Sequence, residues 1–128
     1  YTEAGLKPED ITYINAHGTS TYLNDMLETK AVKIALGEEQ ARKVKINSTK
    51  SMTGHMLGGT GAVEAAVCAL SIRDSFIHQT IGYTTPDPEC DLDYCVDGPV
   101  EMPVNAALSN SLGFGGHNAT LCFKKCTD

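Results

Sequence analysis

Residues 47–65 read N-S-T-K-S-M-T-G-H-M-L-G-G-T-G-A-V-E-A and bring Lys50, His55 and Glu64 into one short run where a glycine-rich loop meets an apolar segment. That segment, Gly61 to Ile72, is apolar on nearly every face, which in a chain this polar predicts a helix enclosed by protein. An enclosed helix needs layers on more than one side, so the stretch predicts a layered α/β fold. Glu64 is expected in the first turn of the helix, where the helix N-terminus stabilises a carboxylate, or as a partner that holds Lys50.

Upstream, Gly5 reads as a helix C-cap, and Lys7-Pro8-Glu9-Asp10 as a turn into a strand from Ile11 to Ala16 that empties into His17-Gly18-Thr19-Ser20-Thr21. Asp25 and Glu28 have the spacing of a capping box. Leu27, Ala31, Ile34 and Ala35 then recur at helical spacing until Gly37. A charged turn leads to a second strand, Val44 to Ser48, which empties into the loop from Lys50 to His55. Downstream, Gln79 to Ile81 predicts a strand, and Tyr83 to Val96, with Pro86, Pro88 and several acids, a long irregular connection. Strands from Asn105 to Asn110 and Asn118 to Phe123 flank the glycine-rich turn Leu112-Gly113-Phe114-Gly115-Gly116.

The 128 residues suit one domain, or one piece of a larger one. Sixteen acids against ten scattered bases give a net charge of −6, which argues against nucleic acid. No apolar run nears the roughly 20 residues that span a bilayer, and the first residues lack a signal-peptide pattern; a cytoplasmic protein is expected. Five cysteines, Cys68, Cys90, Cys95, Cys122 and Cys126, show no C-x-x-C pair and favour reduced thiols. The start at Tyr1 suggests a C-terminal piece of a longer protein.

Each of three polar loops, carrying His17, Lys50 with His55, and Phe114, follows the C-terminal end of a predicted strand, the edge where open α/β sheets bind ligands. Two neutral imidazoles side by side can donate two N–H bonds to one oxygen that becomes negative, and a nearby lysine would favour that anion. Each of these residues alone has a plainer reading: a histidine held by structural hydrogen bonds, a solvated lysine, a core phenylalanine. His78, after a helix, and His117, at a turn exit, are read as structural. Gly58-Gly59-Thr60-Gly61 lacks the ending of a phosphate loop, Cys90 and Cys95 have poor zinc spacing, and no G-x-S-x-G occurs, so no metal site is expected.

Taken together, N-A-H-G-T-S-T (15–21), T-K-S-M-T-G-H (49–55) and N-S-L-G-F-G-G (110–116) resemble the β-ketoacyl-acyl carrier protein synthases, in order and spacing, from near Tyr1 to Lys125. K-S-M-T-G-H leans toward the type II enzyme. The resemblance implies a thiolase-like layered α/β fold, of which residues 1–128 would form part of the C-terminal half. It implies a decarboxylative Claisen condensation, in which the enolate of malonyl-carrier protein attacks an acyl group on a cysteine, as in fatty acid biosynthesis. The matching positions make His17 and His55 the pair that binds the malonyl thioester oxygen, with Lys50 tuning His55 and Glu64 as its partner. Thr19 and Thr21 would contact the phosphopantetheine arm, Phe114 would gate the acyl pocket, and Gly113 would lie beside it against substrate. Tyr22, Gly59-Thr60 and Leu112 depart from the common pattern and put chain length in doubt.

No resident cofactor is implied, because phosphopantetheine arrives on the acyl carrier protein. None of the five cysteines matches the family's nucleophile motif, so the nucleophile is expected in a missing N-terminal part and the chain alone is expected to be inactive. An incomplete sheet should expose apolar surface, so the missing part or a homodimer partner is expected to cover it. A nucleophile-lacking relative, serving as chain-length partner or malonyl decarboxylase, and an inactive structural fragment are the competing readings.

Overall fold

The computed structural model describes residues 1–113 and 115–127; Phe114 and Asp128 lie outside the described residues. Its centre is a strand, β1 (Tyr13–Asn15), buried at every residue. On one side lies β2 (Lys45–Asn47), on the other β5 (Ala106–Gly113), both parallel to β1, in registers that place Ile14 opposite Ile46 and Leu108. β6 (His117–Lys124) pairs antiparallel with β5 and completes a mixed sheet of order β2-β1-β5-β6. A two-stranded ribbon, β3 (Phe76–Ile77) with β4 (Val100–Glu101), stands apart.

Alternation along the strands sends side chains to two cores, because successive residues of a strand face opposite ways. Ile14, Ile46 and Leu108 meet Val32 and Leu36 of α1 (Tyr22–Leu36) and Ala41 of α2 (Glu38–Ala41). Tyr13 and Ala107 meet Cys68 and Ile72 of α4 (Thr60–Asp74) on the opposite face. The result is helix, sheet, helix, and the exits of β1, β2 and β5 share one edge. One further turn of helix, α3 (Lys50–Thr53), follows β2.

Several expectations are corrected. The capping box of Asp25 and Glu28 does not form: α1 begins at Tyr22 with Thr21 as its N-cap, and Glu28 is buried and engaged elsewhere. The buried side of α1 is Glu28, Thr29, Val32 and Leu36, while Leu27 and Ile34 are exposed, Ile34 to 77%. Lys50 opens a helical turn and does not sit in a loop. α4 is buried on one face only, through its own Thr60, Glu64, Cys68, Ser71 and Ile72, while Val63 and Leu70 are exposed, since the described residues supply a sheet to one side of it. Glu64 is the fifth residue of α4 and has no place in its first turn. No strand forms at 79–81; the strand lies at Phe76–Ile77, and the backbone groups of 78–81 find scattered partners in place of a ladder, the His78 carbonyl accepting from Asn47 Nδ2, the Thr80 N–H donating to the Cys95 carbonyl and the Ile81 N–H to Ser51 Oγ. The connection of 83–96 is irregular apart from a bridge between Asp87 and Cys90.

Candidate active site

β1 runs directly into His17, and a buried carboxylate fixes the exit. Glu28 Oε1 accepts the His17 backbone N–H at 2.8 Å and Oε2 accepts that of Gly18 at 3.0 Å. Gly18 is the one glycine here that cannot be otherwise: its φ is +47°, and a Cβ would lie 2.6 Å from Ser48 Oγ and 2.7 Å from Ser48 Cβ. The close approach lets Ser48 Oγ donate to the Gly18 carbonyl at 2.8 Å, tying the β2 exit to the His17 loop.

α3 and the start of α4 bring the other groups in. His17 and His55 have ring centroids 5.7 Å apart and planes at 88°, an edge-on pair. His55 Nδ1 accepts the Leu57 backbone N–H at 3.1 Å and lies 3.1 Å from Thr60 Oγ1, which also accepts the Met56 N–H at 2.7 Å. With Nδ1 used as an acceptor, a neutral His55 carries its proton on Nε2, leaving that N–H to donate. Lys50 Nζ meets Glu64 Oε1 at 2.5 Å, both side chains almost wholly buried.

Electrostatics keep His17 neutral. Burial lowers its pKa first, the neighbouring Lys50 and His55 lower it further, and Asp25 opposes them. Glu64, 1% exposed, is pushed above the usual carboxylate range by burial, with Lys50 pulling the other way. Three buried polar atoms here have no partner among the described residues: Asn15 Oδ1, His17 Nδ1 and Glu64 Oε2.

Thr19 and Thr21 sit at the mouth of this edge with hydroxyls 3.2 Å apart. A cavity of about 810 Å³ opens there, lined among others by Thr19, Ser48, Lys50, His55 and Thr80. Gly113 ends β5, paired with His117, four residues beyond the Ser109 that faces Asn15. Phe114 lies outside the described residues. The β5 residue that reaches the His17 loop is Asn110, whose Nδ2 is 3.5 Å from Glu28 Oε1.

The sequence reading missed Glu28, Ser48, Thr60 and the cluster Tyr13, Asn15, Asn47, Thr49. Tyr13 Oη donates to Asn47 Oδ1 at 2.7 Å, and Asn15 Nδ2 donates to Tyr13 Oη at 3.1 Å and Thr49 Oγ1 at 2.7 Å. A signal existed: asparagines at the next-to-last residue of two predicted strands that each empty into a polar loop, the edge where open α/β sheets bind ligands. Nothing in spacing alone could have tied Glu28 to the backbone 11 residues earlier. Three of the cysteines are held as thiols by their surroundings. Burial pushes the Cys68 thiol up to about 12 and Cys95 to about 11, and raises Cys90. Among the described residues no cluster of histidine, cysteine and acids could hold a metal, and no helix is long and apolar enough to cross a membrane.

Comparison with known proteins gives this arrangement its relatives. The family described as beta-ketoacyl synthase, C-terminal domain, matches residues 1–84. The chain is 55% identical over 123 residues to 3-oxoacyl-[acyl-carrier-protein] synthase 2 of Staphylococcus aureus (strain COL), covering 96% of this chain and 30% of the relative. Among solved structures it is similar to a type II polyketide ketosynthase in complex with its acyl-carrier protein, bound to the hexaketide (TM-score 0.93, 42% identity, 98% of this chain and 30% of that one). It is also similar to the ishigamide ketosynthase/chain length factor (TM-score 0.92, 36% identity, again 98% and 30%). The chain thus spans about 30% of the length of the relatives it matches. The thiolase-like α/β layering expected from the three motifs is the fold of these neighbours.

Proposed function

Because this chain belongs to the β-ketoacyl synthase family, we propose that it is the malonyl-handling part of a 3-oxoacyl-acyl carrier protein synthase, elongating acyl chains by decarboxylative Claisen condensation in fatty acid biosynthesis. His17 and His55 donate N–H bonds to the malonyl thioester oxygen as decarboxylation leaves it negative. Lys50, held by Glu64, helps to keep His17 neutral and favours the enolate. Thr19 and Thr21 contact the phosphopantetheine arm, which arrives on the carrier protein, so no resident cofactor is required. Gly113 and Phe114 border the acyl pocket. A cysteine outside residues 1–128 carries the acyl group, and the isolated chain does not condense. The whole enzyme works in the cytoplasm as a homodimer.

The observation that carries this reading is the edge-on pair of imidazoles 5.7 Å apart beside a buried Lys50–Glu64 pair. Two oriented N–H donors next to a cation are what an enolate needs, and no step calls for a metal. The carrier-protein partner draws support from the ketosynthase neighbour bound to its acyl-carrier protein. In the full-length enzyme, His55→Ala is expected to abolish malonyl decarboxylation while acyl transfer to the cysteine continues; decarboxylation at the normal rate would overturn the role. Acylation of any cysteine in the isolated chain would overturn the placement of the nucleophile.

A second reading, a chain-length partner that lacks the nucleophile, is favoured by the likeness to the ishigamide ketosynthase/chain length factor. The residue at the nucleophile position of the full-length protein separates the two.

A further inference from the structure

The exit of β2 is gripped along its length by residues 78–81. Asn47 Nδ2 donates to the His78 carbonyl at 2.9 Å, and the Ser48 N–H to Thr80 Oγ1 at 3.2 Å. Thr49 Oγ1 lies 2.9 Å from His78 Nε2, and the Ile81 N–H donates to Ser51 Oγ at 3.1 Å. The ring contact has a defined polarity. His78 Nδ1 lies 2.8 Å from the Gln79 carbonyl, which can only accept, so Nδ1 holds a proton, and in the neutral imidazole Nε2 is then bare. Thr49 therefore donates its hydroxyl proton to His78, while its oxygen accepts from Asn15 Nδ2 at 2.7 Å. Thr49 stands at the head of α3, yet its side chain makes no capping bond there. Its hydroxyl is committed to His78 and Asn15, and the next residue is Lys50.

We propose that His78 is a positioning residue for Lys50: by accepting the Thr49 hydroxyl it fixes the residue from which Lys50 springs, and so the aim of the ammonium at Glu64 beside the two imidazoles. Thr49 is β-branched and stiff about χ1, so one hydrogen bond selects its rotamer. His78 need not touch substrate. The inference rests on the role of Lys50 proposed above.

The test uses the full-length enzyme with malonyl decarboxylation and acyl transfer measured separately. His78→Leu is expected to lower kcat for decarboxylation about fivefold, the effect of losing one net hydrogen bond, with KM and acyl transfer unchanged. His78→Gln, whose amide oxygen can accept from Thr49, is expected to recover most of the rate. The double variant His78→Leu, Thr49→Val should be no slower than Thr49→Val, since the bond that His78 makes is already absent there. Wild-type decarboxylation in His78→Leu, or no recovery in His78→Gln, would overturn the proposal. Should the leucine variant not fold, nitrogen NMR of the unmodified protein decides: the proton belongs on Nδ1, and a proton on Nε2 would overturn the proposal. Lys50→Met separates this inference from its premise. If that variant decarboxylates normally, the reading of the site fails and this inference with it; if it is inactive while His78→Leu is normal, only the role of His78 fails.

Discussion

His17 is a residue whose charge its surroundings control. Its folded-state pKa lies below its unfolded value near 6.5, through burial first and then Lys50 and His55. The stability that this contributes is complete above the unfolded pKa and is lost as pH falls through the depressed folded value, because the unfolded chain takes up the proton first. Urea denaturation from neutral to mildly acidic pH should therefore show falling stability, with a shallower fall in His17→Gln; equal slopes would contradict the neutral assignment. The Lys50–Glu64 pair gives a second test, since removing one member of a buried ion pair typically costs about 3–5 kcal/mol. Lys50→Met is expected to lose stability in that range and Lys50→Met, Glu64→Leu much less; a loss under about 1 kcal/mol in the single variant would show that Glu64 is relieved by another group. The pairing of Lys50 with Glu64 was open to a reading of spacing, because both flank one glycine-rich turn. The Thr60 and Leu57 groups that orient His55 were not, because a backbone N–H and a hydroxyl leave no mark in composition.

At the level of elements, the sequence period found α1 but not its buried side. Leu27 and Ile34 look like core residues and face outward, while a glutamate faces in because two backbone N–H groups wait there for it. A charged acceptor serving two donors outweighs its burial cost, at about 1.5–3 kcal/mol for a hydrogen bond to a charged group. Glu28→Gln is therefore expected to lose about 2 kcal/mol and to speed hydrogen exchange at the Gly18 amide, as the amide offers one acceptor oxygen in place of two. Unchanged exchange would mean that Ser48 alone anchors the loop. The strand expected at 79–81 failed for the converse reason: its β-like composition is real, but Thr80 and His78 offer side-chain partners to Ser48 and Thr49 just beyond β2, and local bonds of that kind compete with a ladder.

For the molecule as a whole, the layered α/β arrangement was legible because two short strands each empty into a polar loop and the stretch 61–72 is apolar on nearly every face. How far that helix is covered was not, since coverage depends on residues beyond any local window. Val63 and Leu70 of α4, Met52, Met56 and Leu57 beside His55, and Leu121 of β6 are all exposed, Leu57 to 79%. Patches of this kind mark surfaces that bind other protein. The isolated chain is expected to bind a hydrophobic dye and to self-associate at micromolar concentration, and Met56→Lys with Leu57→Lys to reduce both; a monomer that leaves the dye unbound would contradict this. The inner side of α4 behaves oppositely. Cys68 is fully buried against the sheet, its thiol pushed up to about 12. A thiol so protonated and enclosed is invisible to alkylating reagents until helix and sheet part. Its labelling rate is consequently a clock built into the chain: at reagent concentrations where alkylation outpaces reclosing it ticks once per opening of the interlayer seam and reads the lifetime of the closed state.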